Sequence, residues 1–213
     1  ERAGLRVFLG GNITVAPLTF LDEIGPGDEV VLELSSWQLG DLKGRLREDG
    51  KPLFKPRVAV ITAIMSDHQD RYGGMDAYVA DKRVIYEMQD SGDATVCGDD
   101  AWGDSFASET GGRPLRYGSL RPGPGRMGGW LDEATGIGYL GSGNDEGSVI
   151  VPAEVLTPGI HQKRNLLAAA LALWDLGVER AVVSAAAASF PGIEHRLEFF
   201  REARGARYYN DTA

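Results

Sequence analysis

The chain has a single cysteine, Cys97, among its 213 residues. It can close no disulfide within the chain and cannot build a cysteine-based zinc site. Thiol scarcity suits a reducing, cytoplasmic setting. Positive charge is also short, because 22 Lys and Arg face 31 Asp and Glu and leave a formal net charge of -9. That balance disfavours nucleic acid or an anionic membrane surface as the main partner. A nucleotide site, which needs only a local patch of donors, stays open. No apolar run approaches the roughly 20 residues that span a bilayer, so no membrane insertion is expected. The first residues show no signal pattern, and neither internal repeats nor a low-complexity tract is present.

What remains is ordinary for a globular protein: 43% hydrophobic and 25% charged residues, enough for one sizeable core. The chain starts on Glu1-Arg2-Ala3-Gly4, which reads as a helix tail running into a glycine. It stops on Tyr208-Tyr209-Asn210-Asp211-Thr212-Ala213, a strand reaching a turn. Both ends read as cuts within a longer protein.

Two apolar, β-branched runs anchor the reading. Val30-Val31-Leu32-Glu33-Leu34 predicts a strand buried on both faces, carrying one carboxylate, Glu33, that needs a cation or donors. Residues 57–64 predict a second such strand. Before the first run lie a short strand, Arg6-Val7-Phe8-Leu9, the pair Gly10-Gly11 and a helix over 17–24, so the start reads strand, helix, strand. That is the pattern of a parallel sheet, whose ligands gather at the C-terminal strand ends. Asn12 falls at that edge, as do Glu33, Ser35 and Ser36. On its residues alone, Asn12 reads first as a residue stabilising its own turn. At the end of the second run, Asp67, His68 and Asp70 offer oxygen and nitrogen ligands for a divalent ion, or else a solvated loop with a helix cap.

The spacing predicts a helix over 75–88 that places Lys82 on an apolar stripe with Tyr78, Val79, Ile85 and Tyr86. Such a lysine either snorkels to the rim or is drawn into a site with its charge altered. Residues 94–100 predict a short strand and turn, 111–129 a Gly- and Pro-rich stretch. Residues 129–132 and 137–140 form a hairpin, and 148–152 a further strand, in a region that looks antiparallel. Helices over 166–176 and 178–189 predict a helical hairpin packed on the sheet. Gln162 and Asn165 lie near the first one's N-terminus, where acceptors bind or a cap forms. A loop carrying His195-Arg196-Leu197-Glu198 leads into a last hairpin.

In order along the chain, Gly11-Asn12-Ile13, Glu33-Leu34-Ser35-Ser36-Trp37-Gln38-Leu39, Asp67-His68-Gln69-Asp70-Arg71-Tyr72 and Ala80-Asp81-Lys82 resemble the Mur ligases. So do His161-Gln162-Lys163-Arg164-Asn165, His195-Arg196-Leu197-Glu198 and Asn210-Asp211. The resemblance implies an α/β fold: a Rossmann-like, mostly parallel sheet flanked by helices, with a smaller antiparallel β region and the start of a further α/β domain. Residues 1–193 would be the central, ATP-binding domain without its phosphate-loop part, and 194–213 the beginning of the C-terminal ligase domain.

The implied activity is amide bond formation in peptidoglycan precursor synthesis. ATP phosphorylates the carboxylate of UDP-N-acetylmuramoyl-L-alanine, and the amine of D-glutamate displaces phosphate. The resemblance assigns Glu33, His68 and Lys82 to magnesium sites, with Lys82 carbamylated in the intact enzyme and Lys82 and His68 catalytic. Gln162, Asn165, Arg196 and Asp211 would bind ATP; Asn12, Ser35, Ser36 and Gln38 would bind the UDP-muramoyl substrate. Some positions depart from the family pattern. The Gly-Lys-Thr/Ser phosphate loop is absent and is expected upstream of Glu1, together with the domain holding the UDP group. Thr14 stands where Gly is frequent, Gln162 where Asn is commoner, and Asp211-Thr212-Ala213 where Asp-Ser-Lys is usual. The piece alone is expected to be inactive. The alternatives are a Mur-type ligase for another amino acid, or a non-catalytic Rossmann-like binding module.

Overall fold

A computed structural model describes residues 2–12 and 15–212. The chain divides into two compact units, one running to Val96 with Asp100–Pro114, the other Cys97–Asp99 with Leu115 onward.

The first unit opens with β1 (Val7–Gly11), a 3-10 helix (Pro17–Glu23) and β2 (Glu29–Glu33). β1 and β2 pair in parallel with Gly11 opposite Glu33, so the strand-helix-strand start is present as expected. Pro17 supplies the fixed φ that suits a first helical position. The burial expected of the Val30-Val31 run is not found. Val30 is 42% and Val31 50% exposed, because this ribbon is a two-stranded sheet by itself. β-branched composition reports a strand but not what covers it.

α1 (Ser36–Leu42) follows, then β3 (Val58–Val60), α2 (Gln69–Tyr72), α3 (Met75–Arg83), β4 (Ala94–Gly98) and α4 (Ala101–Glu109). β3 pairs with β4 in parallel. The helix expected over 75–88 ends at Arg83. Beyond it the bonds tighten to three-residue spacing, from Val84 N to Asp81 O through Glu87 N to Val84 O. α4 was not foreseen; Asp100 caps it by accepting from Gly103 N at 2.8 Å. Ala59, Val79, Val84, Val96 and Phe106 are buried in this unit.

The second unit holds β6 (Met127–Asp132), β7 (Ile137–Ser142) and β8 (Ser148–Val151). Both β6–β7 and β7–β8 are antiparallel, as the hairpin signal predicts. β5 (Arg113–Gly118), which the Gly- and Pro-rich reading missed, pairs with β6 in parallel. The strands from β3 to β8 follow one another in order in a six-stranded sheet. α5 (Ile160–Asp175) lies against β6, β7 and β8, and α6 (Arg180–Ala188) against β8 and α5. This is the expected helical hairpin, with Leu167 and Leu171 fully buried. β9 (Glu198–Ala203) and β10 (Ala206–Asn210) form a separate antiparallel hairpin. Among the described residues no helix is long and apolar enough to cross a membrane.

Candidate functional site

The end of the β1–β2 ribbon is locked by backbone contact. Gly11 has φ +126°, and a Cβ there would lie 2.0 Å from the Glu33 carbonyl oxygen, so only glycine fits. The next amide, Asn12 N, donates to that carbonyl at 2.7 Å. The chain therefore holds Asn12 and Glu33 at one edge, with both residues exposed. Ile13 and Thr14 lie outside the described residues.

From Glu33 the chain passes through Leu34 into a capping box. Ser35 Oγ accepts from Gln38 N at 3.2 Å, and Gln38 Oε1 accepts from Ser35 N at 3.0 Å. Ser35 and Gln38 thus fix the start of α1, a role the substrate assignment did not include. Ser36 is 1% exposed. Its hydroxyl meets no partner in full hydrogen-bond geometry, but it lies near enough to the Tyr72 phenol to pull that pKa down. The net direction for Tyr72 is still up, through burial first and then the Asp81 carboxylate.

His68 has φ +50°, a left-handed conformation that costs a non-glycine residue energy and recurs at ligand sites. The Asp67 carboxylate holds it, accepting His68 N at 2.8 Å and standing 3.4 Å from Nε2. The Trp37 ring lies 5.7 Å from the imidazole, and the Arg71 guanidinium sits 4.3 Å over the same indole. Trp37 therefore links the α1 motif to the His68 motif, a contact no spacing announced.

Lys82 is half-buried on α3, its ammonium 5.8 Å from the Tyr78 ring centroid. Burial pushes its pKa below the ordinary value, while Glu33 and Asp67 pull it back up. Both carboxylates therefore stand within electrostatic reach of the amine. Glu33, Asp67, His68 and Lys82 all belong to the first unit. Among the described residues no three His, Cys, Asp or Glu side chains are grouped to hold a metal. The donor set still suits magnesium chemically. It offers hard carboxylate oxygens from Glu33 and Asp67, within electrostatic reach of an amine whose pKa burial lowers.

In the second unit, Gly159 rather than a side-chain cap precedes α5. Asn165 sits in its second turn and is exposed, so it does not cap the helix. Gln162 is half-buried, one turn earlier. Between them, Lys163 Nζ donates to Gly136 O at 2.7 Å and Ala153 O at 2.6 Å. Arg164 donates to Ser119 Oγ at 2.7 Å and Glu133 Oε1 at 2.9 Å. Sequence reasoning quoted both side chains without giving them a role; they fasten the start of α5 to the β-rich loops.

Arg196 and Asp211 flank the β9–β10 hairpin. Asp211 Oδ1 accepts Leu197 N at 3.2 Å, and Asn210 pairs with His195 at 2.7 Å. His195 and Leu197 both have positive φ, and these contacts hold them there. Arg196 is exposed. Ala213 lies outside the described residues.

With this geometry in place, a model of the Mur ligase middle domain matches residues 14–173. The chain belongs to the Mur ligase family. Its Mur ligase relatives include the UDP-N-acetylmuramoylalanine–D-glutamate ligase of Treponema pallidum, 33% identical over 99% of this chain and 51% of its own length. Those of Acetivibrio thermocellus and Clostridium kluyveri are 33% and 34% identical over all of this chain and 42% of theirs. The chain thus spans about half or less of the curated relatives it matches. Among solved structures, MurF from Acinetobacter baumannii aligns with TM-score 0.66 at 17% identity, over 98% of this chain and 51% of that one. MurF ligase from Thermotoga maritima in complex with ADP aligns with TM-score 0.65 at 19% identity, over 98% and 47%. These likenesses establish the Mur ligase fold.

Proposed function

We propose that the protein containing this chain joins D-glutamate to UDP-N-acetylmuramoyl-L-alanine, using ATP, in the cytoplasmic stage of peptidoglycan precursor synthesis. The observation that carries the chemistry is Lys82, a half-buried amine with lowered pKa beside Glu33 and Asp67. The identity of the amino acid rests on the names of the relatives.

The terminal phosphoryl group of ATP passes to the alanine carboxylate and ADP leaves. The D-glutamate amine then attacks the acyl carbon, expelling phosphate and losing a proton as the amide forms. Magnesium, when bound, offsets the negative charge of the phosphates. In this reading Glu33 and His68 supply ligands to it. The neutral Lys82 amine adds carbon dioxide and releases a proton, so that a cation becomes an oxygen-bearing anion in the same place. Asn12, at the locked strand end, faces the muramoyl substrate beside Ser35, Ser36 and Gln38. Gln162 and Asn165 meet the adenine, and Arg196 and Asp211 contact the nucleotide. Residues 1–193 serve as the central domain, and from 194 the chain opens the next one.

The test is the full-length protein given ATP, magnesium and UDP-N-acetylmuramoyl-L-alanine. Phosphate release that requires D-glutamate supports the reading; release driven by a different amino acid overturns it.

A further inference from the structure

One carboxylate of the first unit, on α3, bears on α1 and α2, the helices that follow Glu33 and His68 of the proposed metal and phosphate site. Asp81 Oδ2 accepts the Tyr72 hydroxyl at 3.0 Å. Tyr72 ends α2, one turn after His68. Asp81 Oδ1 lies 4.0 Å from Lys43 Nζ at the end of α1. α1 also approaches closely through its backbone, since a Cβ on Gly40 would lie 2.6 Å from Asp81 Oδ2. The first turn of α1 holds Ser36, Trp37 and Gln38, and starts three residues beyond Glu33. Asp81 itself sits in α3 immediately before Lys82. Its side chain is only 20% exposed, so water competes weakly for the carboxylate.

We propose that Asp81 is a positioning residue: its contacts with Tyr72, Gly40 and Lys43 set the spacing of Glu33, His68 and Lys82. The inference rests on reading those three as one metal and phosphate site. The carboxylate points away from Lys82 along the helix, since neighbouring helical residues face different sides. It acts through the helices and not on the metal. The Tyr72 ring is braced in turn, edge-on to Tyr78 at 5.5 Å, so the hydroxyl is presented to Asp81 from a fixed direction.

The experiment uses the full-length protein with Asp81→Ala, Asp81→Asn, Tyr72→Phe and the Asp81→Ala/Tyr72→Phe pair. Mn²⁺ binding is followed by electron paramagnetic resonance with a non-hydrolysable ATP analogue, alongside phosphate release as a function of magnesium. Asp81→Ala and Tyr72→Phe should each weaken Mn²⁺ binding by about 10-fold, the scale seen when a ligand's support is removed. The pair should be no worse than Asp81→Ala, since both remove one contact. Asp81→Asn keeps an acceptor for Tyr72 and should bind within about threefold of the wild type by the same reasoning.

Equal Mn²⁺ binding in wild type and variants, with only the melting temperature lowered, overturns the inference and leaves the proposed reaction standing. A wild type that neither binds Mn²⁺ nor releases phosphate overturns both. Should Asp81→Ala fail to fold, Tyr72→Phe, which keeps the ring against Tyr78, decides the question by the same Mn²⁺ readout.

Discussion

In the proposed reaction, Lys82 is the residue on which chemistry and stability pull in opposite directions. Its pKa in the folded chain lies below 10.5, chiefly through burial. Between that lowered value and 10.5 the unfolded chain binds the proton more readily. Burial of the amine therefore costs stability at neutral pH, and the cost fades as pH rises toward 10.5. Lys82→Met, in bicarbonate-free buffer, should raise the melting temperature at pH 7 and change it little near pH 10.5. In the full-length protein the same substitution should lower phosphate release by at least about 100-fold. A variant that gains stability and keeps its activity would remove Lys82 from the site. The lysine was legible as a suspect because it stood on an apolar stripe. Its spacing alone gave no partner; the family resemblance grouped it with Glu33 and His68, and the influence of Asp67 came only from the structure.

At the level of elements, strand ends and helix starts were readable wherever local chemistry decides them. The β6–β7 hairpin, α5 with α6, and β9 with β10 follow their turn signals. β5 and α4 were missed because Gly and Pro in the first, and the polar face of the second, hide the period. The exposure of Val30 and Val31 could not be read from composition, because covering a strand is a tertiary matter. Two element junctions carry predictions. A Cβ on Gly118, at the end of β5, would lie 1.8 Å from the Asp99 carboxylate. That carboxylate accepts Ser119 N at 2.6 Å and Leu120 N at 2.9 Å. Gly118→Ala should therefore cost roughly 1–3 kcal/mol by overpacking, measured by urea unfolding.

The α3–α4 junction depends on Glu109, which takes the Arg83 guanidinium at 2.7 and 2.9 Å as well as the Tyr86 and Ser105 hydroxyls. Arg83 first, with the hydroxyls, lowers its pKa from 4.5 to about 2. Its contribution is present above pH 4.5 and is lost as pH falls toward 2. The pair is partly solvated, so Glu109→Gln should cost about 1 kcal/mol above pH 4.5. The gap to wild type should close on acidification, as read from urea midpoints against pH.

For the whole molecule, the ordered motifs spoke before the fold did. They are short, but taken in order they point to the family whose relatives match this chain over its full length at 33% and 34% identity. The net charge of -9 explains why such a chain would recruit phosphates with metal ions and local donors and not with a basic surface. The central claim is D-glutamate ligation, and one measurement tests it most directly. Phosphate release by the full-length protein is followed with ATP, magnesium and UDP-N-acetylmuramoyl-L-alanine while the amino acid is varied. The account predicts that D-glutamate raises the rate at least about tenfold over the other amino acids, a discrimination of about 1.4 kcal/mol. A rate indifferent to D-glutamate, or driven by another amino acid, would contradict it.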